Sequence, residues 1–108
     1  MSLADKTCEP CRGGTPPLTR EQIEPMLDEL KGWTVEAGDK HLRKSIKTKD
    51  FLESLQLANK IGEVAEQQGH HPDLLVRWGE LNIELWTHKI DGLSEADFIL
   101  AAKIDRLK

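Results

Sequence analysis

Residues Glu66 to Trp78 read EQQGHHPDLLVRW, and Gly79 to Asp97 continue GELNIELWTHKIDGLSEAD. A change of rhythm inside this stretch decides the fold. Before Gly69 the apolar residues recur at helical spacing; beyond Pro72 they alternate with polar ones, as in half-buried strands. Gly69 offers the left-handed exit that ends a helix, and Pro72 prevents continuation. Leu74, Val76 and Trp78 then alternate with Leu75 and Arg77. After Gly79, Leu81, Ile83, Leu85 and Thr87 alternate with Asn82, Glu84, Trp86 and His88. Period two sets the leucine face under the helices and turns His88 away from the core or toward a groove at the sheet's edge. His70 and His71 thus stand at a helix stop and His88 at a strand end. Such platforms border solvent, where a titrating group can meet a ligand.

Upstream, Asp50 with Glu53 has capping-box spacing, and Phe51, Leu55, Ala58, Ile61, Gly62 and Ala65 form an apolar stripe. These predict a long helix running to about Gln68, the main cover of the sheet. Before it, Trp33 to Ala37 and His41 to Lys47 flank Gly38-Asp39, a hairpin signal. Leu42, Lys44, Ile46 and Thr48 alternate with His41, Arg43, Ser45 and Lys47, which leaves one face mostly wet. His41, among charges at a strand start, reads as a solvated surface histidine. The first helix is signalled by Thr19 and Gln22 as a capping box, with Ile23, Met26, Leu27 and Leu30 on one face and Gly32 as its end. Pro25 removes one ladder bond from it. Ser94 and Asp97 make a last capping box, and a final amphipathic helix follows through Ala102, Lys103 and Leu107. The order α-β-β-α-β-β-α predicts one α+β domain, a four-stranded antiparallel sheet with three helices packed on one face.

The chain has 108 residues, enough for one core that buries roughly 60–70% of the unfolded surface. A net charge of −4 with both signs interspersed gives no basic footprint for nucleic acid. No apolar run approaches the ~20 residues of a membrane span. No charged-then-apolar leader opens the chain, and a cytoplasmic location is the expectation. Residues 1–17 are polar and rich in Gly and Pro, which predicts a flexible tail ahead of a domain at residues 18–108. Cys8-Glu-Pro-Cys11 has the C-x-x-C spacing of half a zinc site or a redox pair. No other Cys exists to complete a zinc site, and a redox motif would need a strand-to-helix junction.

Each site residue also has a plain structural reading. His70 and His71 suit a helix C-terminus, where an imidazolium interacts well with the dipole. His88 alone would be an exposed strand-end residue, and Asp97 would satisfy backbone donors at a helix start whatever else it does. Glu66 is either a solvated helix residue or an acceptor that orients an imidazole. Trp78 and Trp86 read first as packing residues. Three His with a carboxylate would suit zinc, but adjacent histidines diverge in direction, so no metal is expected.

Taken together, Glu66, His70-His71-Pro72, Trp78, His88 and Asp97 resemble the signature of the pterin-4a-carbinolamine dehydratases. Gly32-Trp33 and the GLSEADF run from Gly92 to Phe98 are similar to that family too, as are Cys8, Cys11 and Pro16-Pro17-Leu18 in microbial members. The resemblance implies the α+β fold above and dehydration of a 4a-hydroxytetrahydropterin to the quinonoid dihydropterin. That reaction recycles tetrahydrobiopterin after an aromatic amino-acid hydroxylase has used it. Hydroxide leaves poorly unless a general acid protonates it, and a base must take a proton from the neighbouring ring nitrogen. Neither step needs a metal or an organic cofactor. By the resemblance His70 and His88 are the acid/base candidates and His71 holds the pterin, with Trp78 as a further substrate-binding residue. Asp97 and Glu66 would orient the rings from behind. Animal members carry an acidic residue where this chain has Gly69. The family also implies a homodimer or tetramer. The alternative it raises is a non-catalytic dimerisation or transcriptional coactivator module.

Overall fold

A computed structural model describes residues 3–6, 16–36 and 38–107. In chain order the elements are α1 (Arg20–Leu27), β1 (Thr34–Glu36), β2 (His41–Lys47), α2 (Phe51–Gln68), β3 (Asp73–Arg77), β4 (Glu80–Leu85) and α3 (Glu95–Asp105). The strands form one antiparallel sheet in the order β1-β2-β4-β3, and the three helices pack against it as expected. The register of β2 on β4 aligns Leu42 with Leu85 and Ile46 with Leu81. Leu42, Ile46, Leu81, Ile83 and Leu85 are all buried, and complete burial of each such side chain contributes about 1.5–3 kcal/mol. The alternate positions pair Arg43 with Glu84, Ser45 with Asn82 and Lys47 with Glu80, all partly or fully exposed. The alternation read from sequence therefore holds in both central strands.

Three helices differ in detail from expectation. α1 stops at Leu27 rather than at Gly32. Pro25 has no N–H to continue the ladder, and the chain tightens into bonds from Glu29 N to Met26 O and from Leu30 N to Leu27 O. In α2 the buried stripe is Ser54, Leu57, Ala58, Ile61 and Ala65, while Phe51, Leu52 and Leu55 are exposed. Ser54 holds the face turned this way: its hydroxyl reaches Thr48 Oγ1 at 2.6 Å and donates to Glu80 O at 3.3 Å. α3 is buried nearly all round, from Ala96 to Ala102, because a further segment covers it from outside. This explains why the sequence period there is blurred by alanines.

That covering segment comes from the residues expected to form a tail. Leu3–Asp5 make a short 3-10 helix with Leu3 and Ala4 buried. Lys103 Nζ donates to Ala4 O at 2.9 Å, and Leu3 N donates to Glu29 Oε1 at 3.1 Å. Cys8 and Cys11 lie outside the described residues. Among the described residues no helix is long and apolar enough to cross a membrane.

Two contacts yield tests. Gly92 is buried, and a Cβ there would fall 2.7 Å from Pro17 Cβ and 3.0 Å from its Cγ. Gly92→Ala is expected to lose about 1–3 kcal/mol through overpacking, read as a lower urea midpoint; an unchanged midpoint would show that the Pro17 segment moves aside freely.

Glu80 accepts from Lys47 Nζ at 3.1 Å, Asn82 Nδ2 at 3.3 Å and Arg77 Nη1 at 3.3 Å. The Lys47 bond first, and the Asn82 bond second, hold its carboxyl below the ordinary value of 4.5. A carboxyl pKa depressed by folding stabilises the fold above the unfolded value, and that stability is lost as pH falls through the folded value. Wild type should therefore exceed Glu80→Gln in stability at neutral pH, with the gap closing as pH drops below 4.5. Equal pH dependence of the two proteins in urea titrations would contradict this.

Candidate active site

The end of α2 aims the first histidine. Gly69 takes the left-handed conformation at φ 65°, ψ 25°. Its N–H bonds to Glu66 O, and the N–H of His70 reaches back to Ala65 O at 3.3 Å. This paired closure fixes His70 immediately after the turn, facing the start of α3.

There it meets Asp97. His70 Nε2 lies 2.5 Å from Asp97 Oδ1, and the Asp97 side chain has no exposed surface. The other carboxylate oxygen accepts from Ser94 N at 2.9 Å and from Thr87 Oγ1 at 2.8 Å. Thr87 Oγ1 is in turn 2.8 Å from Ser94 Oγ. A carboxylate only accepts, so the His70 ring donates Nε2–H and its Nδ1 is left as an acceptor. The helix-capping reading of Asp97 is thus correct, and the same oxygens orient a histidine.

His71 bonds through Nε2 to Glu66 Oε2, with both side chains largely exposed. Glu66 therefore serves His71 rather than His70. Exposure makes this second pair a weak tether, about 0–1 kcal/mol.

His88 does not close a strand. β4 ends at Leu85, and Thr87 N donates to Gly92 O at 2.8 Å, closing a loop around the 3-10 turn His88–Ile90. Asp91 has φ 48°, a left-handed position that returns the chain. The face assigned to His88 nevertheless holds, since its ring stacks 4.0 Å from Trp86 at a tilt of 30°.

The three histidines line one open cleft of about 440 Å³, together with Gly69, Pro72, Asp73, Trp86, Thr87 and Lys89. Trp78 does not join them. It is 74% exposed, in the turn between β3 and β4. The cleft lies at the other end of that hairpin, where β3 begins and β4 ends, so the antiparallel pairing separates Trp78 from the histidines. Trp86 stands in the cleft wall instead. The signal was in the alternation, since Trp86 and His88 share a face two residues apart. Thr87 was assigned to the core by the same alternation, and nothing in sequence marked its hydroxyl as a donor to Asp97. His41 is not a free surface residue either: its ring lies 4.3 Å from Trp86 and its Nδ1 is 2.7 Å from Glu84 Oε2. Among the described residues no cluster of three His, Cys, Asp or Glu side chains is placed to hold a metal ion.

Comparison with known proteins bears on the family and the fold. The family model described as pterin 4 alpha carbinolamine dehydratase matches residues 16–107. A relative from Rickettsia bellii, provisionally named a pterin-4-alpha-carbinolamine dehydratase, is 55% identical over 99% of this chain and 95% of its own. A similarly named protein of Rubrobacter xylanophilus is 50% identical over 97% of each chain. Among solved structures, a transcriptional coactivator/pterin dehydratase from Brucella melitensis superposes with a TM-score of 0.78 at 27% identity, over 84% of this chain and 97% of that one. A pterin dehydratase-like RuBisCO assembly factor of the alpha-carboxysome shares the fold at a TM-score of 0.60 and 20% identity, over 73% and 92%. With a matching family model over most of its length and full-length relatives at half identity, the chain belongs to the pterin 4 alpha carbinolamine dehydratase family.

Proposed function

We infer that this chain dehydrates a 4a-hydroxytetrahydropterin to the quinonoid dihydropterin by histidine acid–base catalysis. The observation that carries the reading is the His70–Asp97 pair, a titratable ring fixed by a buried carboxylate at the mouth of a cleft that two further histidines share. In this reading His70 Nδ1 takes the proton from the ring nitrogen next to the hydroxylated carbon. The imidazolium so formed lies against the Asp97 carboxylate, which offsets its charge as it develops. His88 gives a proton to the departing hydroxyl, the carbon–oxygen bond breaks, and the lone pair left on nitrogen forms the new double bond. Water is the second product, and the two imidazoles have exchanged roles as acid and base. His71, tied to Glu66, holds the pterin. Trp86, in the cleft wall, takes the substrate-binding role expected of Trp78.

The chemistry fits tetrahydrobiopterin recycling beside an aromatic amino-acid hydroxylase in the cytoplasm. A second reading follows from the exposed Phe51, Leu52 and Leu55 on α2, which suit a dimerisation or coactivator module. The fixed His70 favours the enzyme, because a binding module has no use for an imidazole oriented toward a cleft.

The test is the purified protein added to a hydroxylase reaction, with loss of the 4a-hydroxypterin absorbance followed in time. His70→Ala and His88→Ala should each lower kcat by about 10²–10⁴. His71→Ala should act mainly through KM, since it removes interaction common to ground and transition states. Wild-type activity should survive chelator. Near-normal kcat in both single variants, or activity lost to chelator and restored by metal, would overturn the mechanism.

The chain should also assemble as a homodimer or tetramer. Among the described residues β1 and β3 are the sheet's edge strands, and Leu75 and Trp78 on or beside β3 are exposed apolar surface that a second copy would cover. Sedimentation at micromolar concentration should give a mass of at least two chains; a monomer alone would rule this out.

A further inference from the structure

His41 takes no proton in the scheme above and does not line the cleft, yet it packs against Trp86 in the cleft wall. Leu42 pairs with Leu85 across the sheet, so the next register position sets His41 beside Trp86. The two rings lie 4.3 Å apart at a tilt of 40°, and His41 Nδ1 is held by Glu84 Oε2 at 2.7 Å. Trp86 stacks on His88 at 4.0 Å and directs its Nε1–H toward Asp73 Oδ2 at 3.4 Å. Among the described residues this stack is the one directional contact of the His88 ring, which otherwise projects from an exposed turn.

The geometry points to His41 as a positioning residue: anchored by Glu84, it fixes the Trp86 indole against which His88 is oriented. This rests on His88 being the acid of the proposed reaction. His70 and His88 are then held by different physical means. A buried carboxylate fixes the first through a short hydrogen bond, and a three-ring contact fixes the second through packing. An imidazole free to rotate about its side-chain torsions spends little time aligned with the leaving hydroxyl. Displacement of a reacting group by about 1 Å can lower the rate by about 10². One side of the indole packs on the core, and its bond to Asp73, at 3.4 Å, is a weak restraint on the rest. The ring of His41 supplies the lateral contact that this long bond does not.

The experiment uses the full chain with His41→Ala, His41→Phe and His88→Ala. Two quantities are read: kcat and KM for dehydration, and the chemical shift of the His88 ring protons in the free protein, assigned by their loss in His88→Ala. An indole stacked at this distance displaces those protons by its ring current. His41→Ala is expected to lower kcat about tenfold with KM within about twofold, a transition-state effect without loss of ground-state binding. Its His88 protons should move toward the position of an unstacked imidazole. His41→Phe, which restores a ring without the Glu84 bond, should recover most of both. Unchanged His88 protons in His41→Ala would overturn the inference, and so would displaced protons with unchanged kcat while His88→Ala is inactive. Full kcat in His88→Ala would instead remove the acid–base reading, and the proton shifts would still decide whether His41 orients that ring. If His41→Ala does not fold, Glu84→Gln, which loosens the imidazole without deleting it, is read in the same two ways.

Discussion

Asp97 is a carboxylate with no exposed surface, and its need for donors governs what surrounds it. Three donors answer: the Ser94 amide, the Thr87 hydroxyl and the His70 ring. They come from the start of α3, the segment after β4 and the end of α2, so one side chain ties together the elements that enclose the cleft. Taking away any donor would leave a buried acceptor short of a partner, at about 1–3 kcal/mol or more for a charged group. The aim of the His70 ring and the closure of the fold therefore share atoms. A change that loosens the fold here also loosens the His70 ring, a tighter coupling than in a site carried on a surface loop.

The two His–carboxylate pairs illustrate how surroundings decide how firmly a ring is held. His70 meets a carboxylate that is fully buried, which fixes the ring's orientation through its Nε2. His71 and Glu66 meet in solvent, where both side chains rotate and salt screens their attraction. A ring held loosely can follow a ligand as it enters. A ring held rigidly presents the same atom in the same direction to whatever enters.

Much of this was readable in the sequence, and for identifiable reasons. Gly69 and Pro72 have strong local preferences, so the end of α2 and the place of His70 and His71 just beyond it followed from them without tertiary information. The alternation in β2 and β4 told inside from outside correctly. What failed depended on partners remote in sequence. The buried face of α2 was rotated because Ser54 finds Thr48 and Glu80, which a hydrophobic stripe does not reveal. Trp78 was assigned to the cleft by the family pattern, although a residue at the hairpin turn stands at the far end from His88. His41 looked solvated because its own neighbours are charged, and only the register of β2 on β4 brings it to Trp86. The buried Leu3 sits in a segment whose composition is that of a tail.

The strand order has a consequence for how the molecule comes into being. The central pair β2–β4 joins Leu42 to Leu85 and Lys47 to Glu80, partners separated by the whole of α2 and β3. Closing so long a loop exacts chain entropy before any contact rewards it, and topologies rich in such pairings fold slowly. By contrast Gly69, the β3–β4 hairpin, Thr87 and Asp97 follow one another along a single unbroken stretch. The neighbourhood of the histidines can thus condense from nearby residues, while the middle of the sheet must await a distant strand. In this domain the histidine-lined cleft is local in sequence and the scaffold beneath it is not.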